Sequence, residues 1–335
     1  MMDIRAVWAS LPRPAGQTGW QVIAIHPEAH FPIMAGVHLP EGVEGLLVDV
    51  PADAMPAGVE YPEASGFEVT PERLGRTRSS PVRICLTRGG RGNPDLFAIL
   101  AEDVAMRVAS QPDAAGAVHA LLARIRSWQT FMRHHEGERM SEPEETGLAG
   151  ELLLLEAALI PGADIAMAID CWRGPLGALH DFRLGQVAIE VKATASPRNS
   201  IRITSFDQLD DSGLSALFLA VVRLGTGTGR TLPELVDRQR TRVRAGAPTH
   251  EHALDERLLS AGYVGAHAPL YTRRFVAETI RYYRVGAGFP RLIRSTVPDG
   301  VAEGAYDVEL RVADRYQVTE ATAVAEFLGG SDGTR

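Results

Sequence analysis

Four residues close together have the types and spacing to do chemistry: Asp181, and then Glu190, Val191 and Lys192. Residues 187–193 read as a strand, so Glu190 and Lys192, two apart, project from one face. Val187, Ile189 and Val191 take the opposite face and can fill a core. Leu184-Gly185-Gln186 makes a tight connection, which puts Asp181 on the preceding strand of a hairpin with its carboxylate approaching that of Glu190. Two carboxylates on a mostly apolar framework repel each other, and a divalent cation relieves that cost. Oxygen donors suit a hard ion such as Mg²⁺ or Mn²⁺. With a neighbouring ammonium to orient water or offset phosphate charge, the group suits phosphodiester hydrolysis. The same residues also fit a plainer arrangement, with Asp181 in a turn and Glu190–Lys192 an exposed ion pair.

Composition singles out one member of this group. Of 34 basic residues, 33 are Arg and one, Lys192, is Lys. A bias of that size reflects a GC-rich genome, so a lone Lys is either an accident or a position where Arg does not serve. Lys is a compact point charge, whereas Arg is a planar fork that stays protonated.

The elements that must position these residues emerge from the rest of the chain. It has 335 residues and a formal charge of −8, the balance of an ordinary globular protein of about two domains. No apolar run is long enough to span a membrane. The N-terminus has an acidic residue and two prolines where a secretion signal needs a basic start and an apolar block, which predicts a cytoplasmic protein. Cys85 and Cys171 cannot by themselves form a disulfide framework or a zinc site. Residues 1–93 are β-rich, with short apolar runs bounded by turn residues. Residues 94–143 form a helical connector with helices over 94–109 and 113–133, and His134–Glu145 reads as a solvated loop. A helix is expected over Glu144–Ile160, followed by strands at Asp164–Ala168, Leu179–Leu184, Val187–Ala193 and Ile201–Thr204. Ser205–Asp211 reads as a short helix capped by Ser205, and Leu214–Arg223 as a central buried strand. Residues 226–335 are mixed α/β: helices near 232–244 and 252–261, strands near 271–285 and 306–312, and a closing helix near 320–328. Gly225–Arg230 reads as a flexible turn, since it lacks the Lys-Ser/Thr of a phosphate loop.

At this point the residues resemble the PD-(D/E)XK nuclease superfamily. Asp181 followed by Glu190-Val191-Lys192 is similar to its D…ExK core, with His180 in place of the usual Pro. The resemblance implies an α/β protein with a restriction-endonuclease-like αβββαβ core over 144–225: helix 144–160, three strands, helix 205–211 and strand 214–223. It implies Asp181, Glu190 and a main-chain carbonyl near Val191 as metal ligands, and Lys192 as the residue that orients water or stabilises charge. Glu151, on the first helix, becomes an accessory ligand, and Gln208 a residue supporting the site. The implied activity is Mg²⁺-dependent cleavage of DNA, with Mn²⁺ as the other candidate ion. More narrowly, GLAGELLLLE, CWRGP, HDF, IEVKAT and GFPRL resemble a bacterial family of PD-(D/E)XK-motif proteins often found beside anti-phage defence genes. That context also allows a rival: a non-cleaving subunit of a multiprotein defence complex that binds DNA or protein partners.

Other residues receive plainer readings. Glu156, five positions after Glu151, diverges from it on the helix and is expected to be solvated. Trp172, with Gly174 and Pro175, reads as a structural turn and packing residue. His180 reads as a hydrogen-bonded strand-end histidine ahead of a ligand or proton carrier. The stretch Arg223–Arg294 holds 13 Arg against 6 acidic residues, a net of +7 that leaves −15 for the rest. Arg238, Arg240, Arg242 and Arg244 spread over a wide helix face. Arg273, Arg274, Arg281 and Arg284 mix with Tyr271, Tyr282 and Tyr283 in a combination suited to phosphate contact and base stacking. Solvated helix faces and subunit contacts explain the same residues, so the charge permits DNA binding without establishing it.

Overall fold

In a computed structural model of the chain, the short apolar runs of the first ninety residues pair into a five-stranded antiparallel sheet. The structure describes residues 3–329 except 57, 63, 65, 91, 135–138 and 197. The chain divides into two units, residues 1–138 and 139–335. In the first unit, β1 (Gly19–Ala24), β2 (Ile33–Leu39), β3 (Val43–Val50), β4 (Phe67–Arg73) and β5 (Val82–Arg88) lie in the order β1-β2-β3-β5-β4. A short helix that the β-rich reading did not anticipate, α1 (Ile4–Ser10), is capped by the Asp3 side chain. Two long helices follow, α2 (Pro94–Ala109) and α3 (Ala114–His134). Asn93 caps α2 with Pro94 in its first turn, the arrangement that satisfies free N–H groups there. Val118, Leu121, Leu122, Ile125 and Trp128, spaced for one face of α3, are all buried.

The second unit is mixed α/β. It opens with α4 (Glu142–Leu154), whose start is fixed by a reciprocal Ser141–Glu144 capping box. Helical structure continues through a π turn over Leu155–Leu159, then α5 (Ile160–Gly162) and α6 (Ile165–Cys171). The sheet runs β12-β10-β9-β7-β6, made of β6 (Phe182–Leu184), β7 (Val187–Thr194), β9 (Ala216–Thr231), β10 (Arg274–Val285) and β12 (Gln317–Val318). β7 and β9 are parallel; the other pairs are antiparallel. A two-stranded ribbon, β8 (Ser200–Ile203) with β11 (Tyr306–Glu309), stands outside that sheet. The remaining helices are α7 (Leu232–Gly246), α8 (Glu251–Ser260), α9 (Leu310–Ala313) and α10 (Glu320–Gly329). β9 is apolar on both faces because both are covered. Phe218, Ala220 and Val222 join the core beneath α4 and α7, while Leu217, Leu219 and Val221 pack with Ile201, Ile203 and Val308.

Several segments depart from the sequence expectation, each for a local reason. Asp164–Ala168 is the start of a helix and not a strand, because the Asp164 side chain accepts the Met167 N–H and caps α6. Ser205–Asp211 forms bends and turns in place of a helix. Its side chains take the backbone elsewhere: Gln208 binds back to Thr204, and Arg291 takes the Leu209 carbonyl and Asp211. The strand near 306–312 stops at Glu309 and gives way to α9. Gly225–Arg230 belongs to β9, where the pairing with β10 skips from Thr226 to Thr231. Among the described residues no helix is long and apolar enough to cross a membrane.

Candidate active site

The hairpin that carries the ExK residues turns on Gly185-Gln186, with Gly185 at a φ of 56° that a side-chain-bearing residue rarely adopts. Its register pairs Phe182 with Ile189, Arg183 with Ala188 and Leu184 with Val187. One step further along the same register, Asp181 lies opposite Glu190. Phe182 and Ile189 enter the core under α4, so Arg183, Ala188, Glu190 and Lys192 belong to the other face. The ExK spacing therefore places Lys192 Nζ 2.7 Å from Glu190 Oε1. Glu190 is 2% exposed, so the plainer reading of an exposed ion pair does not hold.

Asp181 sits just before β6, half-buried, with Oδ2 accepting the Val191 N–H at 2.7 Å. The Val191 side chain is in the core, as its place in the strand requires. Because N–H and C=O of one extended residue point to the same side, the Val191 carbonyl faces the same sheet edge. Glu151 approaches from α4, its Oε2 accepting the Trp172 indole N–H at 2.7 Å. Burial is the largest influence on all three acids. It raises the Asp181 pKa against the opposing pull of the Val191 N–H and Lys192. It pushes Glu190 up to about 8, reinforced by the Asp181 charge. It holds Glu151 well above the usual carboxylate range, reinforced by Asp181 and then Glu190.

The three acids thus feel one another, yet among the described residues no three His, Cys, Asp or Glu side chains converge as a metal site. The oxygen donors this hairpin offers are the Asp181 and Glu190 carboxylates, with the Val191 carbonyl on the same edge. They are all oxygens, buried and mutually repelling, and that donor set fits a hard divalent ion. Gln208 is not gathered with them. Its Oε1 accepts the Thr204 N–H at 2.9 Å and the Thr204 hydroxyl at 3.1 Å, which fixes the loop after β8.

The sequence reading undervalued Trp172-Arg173-Gly174. Trp172 holds Glu151 through its N–H and stacks on Phe182, ring centroids 6.5 Å apart. The Arg257 guanidinium donates to the Trp172 carbonyl at 2.7 Å. The backbone N–H groups of Arg173 and Gly174 both donate to the Asp181 carbonyl, at 2.8 and 2.9 Å. A Cβ on Gly174 would lie 2.6 Å from Asp181 Oδ1, so only Gly allows the approach. One short turn therefore positions two of the three acids. The available signal was Gly174-Pro175 directly after a Trp, a forced turn that had to lie against some neighbour. Trp172→Phe keeps the ring and removes the donor. It is expected to lower stability by about 1–3 kcal/mol, the range for leaving a buried polar group unpaired, in a denaturant titration.

Two expectations are corrected, those for Glu156 and for the basic stretch. Glu156 is not solvated: Arg230 and Arg238 reach its carboxylate at 2.8 and 2.7 Å, and Arg242 at 3.6 Å. Glu156→Ala is expected to cost about 1–2 kcal/mol by thermal denaturation, discounted because the guanidinium groups are partly solvated. His180 is 3% exposed, and burial lowers its pKa, helped by the Arg183 charge and opposed by a hydrogen bond with the Gln208 backbone. The basic stretch is not a free patch. Twelve of its arginines pair with carboxylates, among them Arg240 with Asp255, Arg244 with Glu251, Arg273 with Glu145, Arg274 with Glu234 and Arg284 with Glu326. The thirteenth, Arg223, donates to the carbonyls of Ser196 and Arg198. Tyr271, Tyr282 and Tyr283 are at most 4% exposed, core residues and not a stacking platform.

No curated protein and no solved structure matches the chain. Residues 4–311, spanning both units and the whole of the D…ExK hairpin, match the family described as "Putative PD-(D/E)XK family member (DUF4420)". A match over nearly the full length, spanning a hairpin with the superfamily's acid–acid–lysine order, places this chain in that PD-(D/E)XK family.

Proposed function

We propose that this chain is a divalent-cation-dependent nuclease that hydrolyses DNA phosphodiester bonds, with Mg²⁺ as the working ion and Mn²⁺ as a substitute. The observation that carries the reading is Asp181, held on the Val191 N–H, next to a buried Glu190 that is bonded to Lys192. Membership of a PD-(D/E)XK family, a superfamily of nucleases, supports it. Asp181, Glu190 and the Val191 carbonyl would hold the ion, and Glu151, steadied by Trp172, would act as an accessory acid. When bound, the ion supplies a Lewis acid for a phosphate oxygen and lowers the pKa of attached water. Lys192 would supply a compact ammonium there to orient water and offset charge gathering on the phosphate. Gln208 supports the neighbouring loop. The catalytic part spans residues 144–225, and the setting is restriction or anti-phage defence in the cytoplasm.

One observation favours a second reading, a non-cleaving subunit of a multiprotein defence complex: the arginines of the basic stretch are already occupied. A nuclease assay separates the two. Supercoiled and linear DNA are incubated with the full chain and Mg²⁺ or Mn²⁺, beside Lys192→Ala. The nuclease reading expects cutting by the parent, none with chelator, and none by Lys192→Ala, with DNA binding retained. Binding without cutting by both proteins supports the second reading.

A further inference from the structure

The ion-pair network raises a question that bears on the nuclease reading. A polyanion must approach a site with three carboxylates and one lysine, while the arginines of the 223–294 stretch are held by internal partners. Two other arginines lie close to Asp181 along the backbone and are not so held. Among the described residues Arg173 has no hydrogen-bond or ion-pair partner for its side chain, and it is exposed. Its backbone N–H donates to the Asp181 carbonyl at 2.8 Å, which fixes the residue beside the acid. Arg183, also exposed, spends one N–H on the Gly185 carbonyl at 3.2 Å and, among the described residues, pairs with no carboxylate. It stands two residues after Asp181, on the face that carries Glu190 and Lys192. Its cross-strand neighbour there is Ala188, which is buried, while the Arg183 side chain itself stays exposed.

From this placement we propose that Arg173 and Arg183 are the phosphate grip of the site. Each neutralises one backbone phosphate of the substrate, so that the two straddle Asp181. The inference rests on the nuclease reading and names what that reading lacks, a source of attraction for the strand. A guanidinium with free donors suits a phosphate because its planar fork matches two phosphate oxygens. The attraction is local and sequence-independent, so it sets affinity and salt dependence without choosing a base.

The experiment measures binding of a fluorescent 30-bp DNA duplex to the full chain carrying Lys192→Ala, in Mn²⁺, across a range of NaCl concentrations. Arg173→Ala and Arg183→Ala are each expected to weaken binding several-fold. Each should reduce the slope of log affinity against log salt by about 0.9, the effect of one lost phosphate contact, and the double variant by about twice that. Arg173→Lys and Arg183→Lys should restore most of the slope, because one positive charge per phosphate is kept. Arg284→Ala, which removes a cation already paired with Glu326, should leave the slope unchanged. The inference is overturned if the double variant keeps the parent slope, or if Arg284→Ala lowers it equally. If the parent chain cuts DNA and the double variant binds normally, the grip alone is wrong. If the parent neither binds nor cuts DNA, the nuclease reading fails and takes the grip with it.

Discussion

Replacing Lys192 by Arg should leave a folded protein whose DNA cleavage falls by about two orders of magnitude or more. The substitution keeps the positive charge, and Lys192 is 18% exposed beside Glu190, so a purely structural ion pair would tolerate it. A catalytic ammonium would not. The guanidinium is wider, and it would fork onto Glu190 in place of making the single 2.7 Å contact that Lys192 makes. A misplacement of about 1 Å in a reacting group can cost roughly 100-fold in rate. Single-turnover cleavage by the variant and its parent, with melting curves of both, checks the prediction. In a chain that uses Arg at every other basic position, near-parental cutting by Lys192→Arg would make the lone lysine a codon accident.

The second large effect is in stability against pH, and it should reverse when a divalent ion is added. Burial raises the pKa values of Glu151, Asp181 and Glu190, that of Glu190 from 4.5 to about 8. Between the ordinary carboxylate range and about pH 8 the folded state therefore binds more protons than the unfolded chain. By linkage, stability contributed by these groups is present at low pH and is lost as pH rises through that window. A divalent ion competes with those protons for the same oxygens, so its stabilisation should grow as pH rises. Melting temperatures in chelator should fall from pH 6 to pH 8. The gain on adding Mn²⁺ should be larger at pH 8 than at pH 6, and Asp181→Asn should abolish most of it. A Mn²⁺ gain that is the same at both pH values would separate the ion from these carboxylates.

The parts of this site that are local in sequence were legible in sequence, and the parts made by distant chain segments were not. Strand alternation alone places Glu190 with Lys192 and turns Val187, Ile189 and Val191 into the core, because a period of two leaves no other choice. The two-residue turn then sets Asp181 opposite Glu190. Glu151 was visible only through the family resemblance, since its partner Trp172 lies 21 residues away. The role of Trp172-Arg173-Gly174 was hidden for the same reason: three backbone and indole donors reveal their targets only once β6 lies beside them. Charge counting failed most clearly at the basic stretch. A net of +7 along the sequence says nothing about carboxylates brought in from elsewhere, such as Glu156, Glu145, Asp314 and Glu326. The missed loop at 205–211 has the same origin, with Arg291 and Arg294 holding Asp211 and Asp207 from more than 75 residues away.

The central claim is that Asp181 and Glu190 hold a divalent ion beside Lys192, and anomalous scattering from crystals grown with Mn²⁺ tests it most directly. The expected result is one strong manganese peak bounded by the Asp181 and Glu190 carboxylates and the Val191 carbonyl, at ordinary metal–oxygen distances of about 2.0–2.4 Å. The same peak should be absent in Asp181→Asn crystals grown under the same conditions. A well-diffracting parent crystal with those carboxylates free of manganese, or with the ion bound only elsewhere on the chain, would contradict the account.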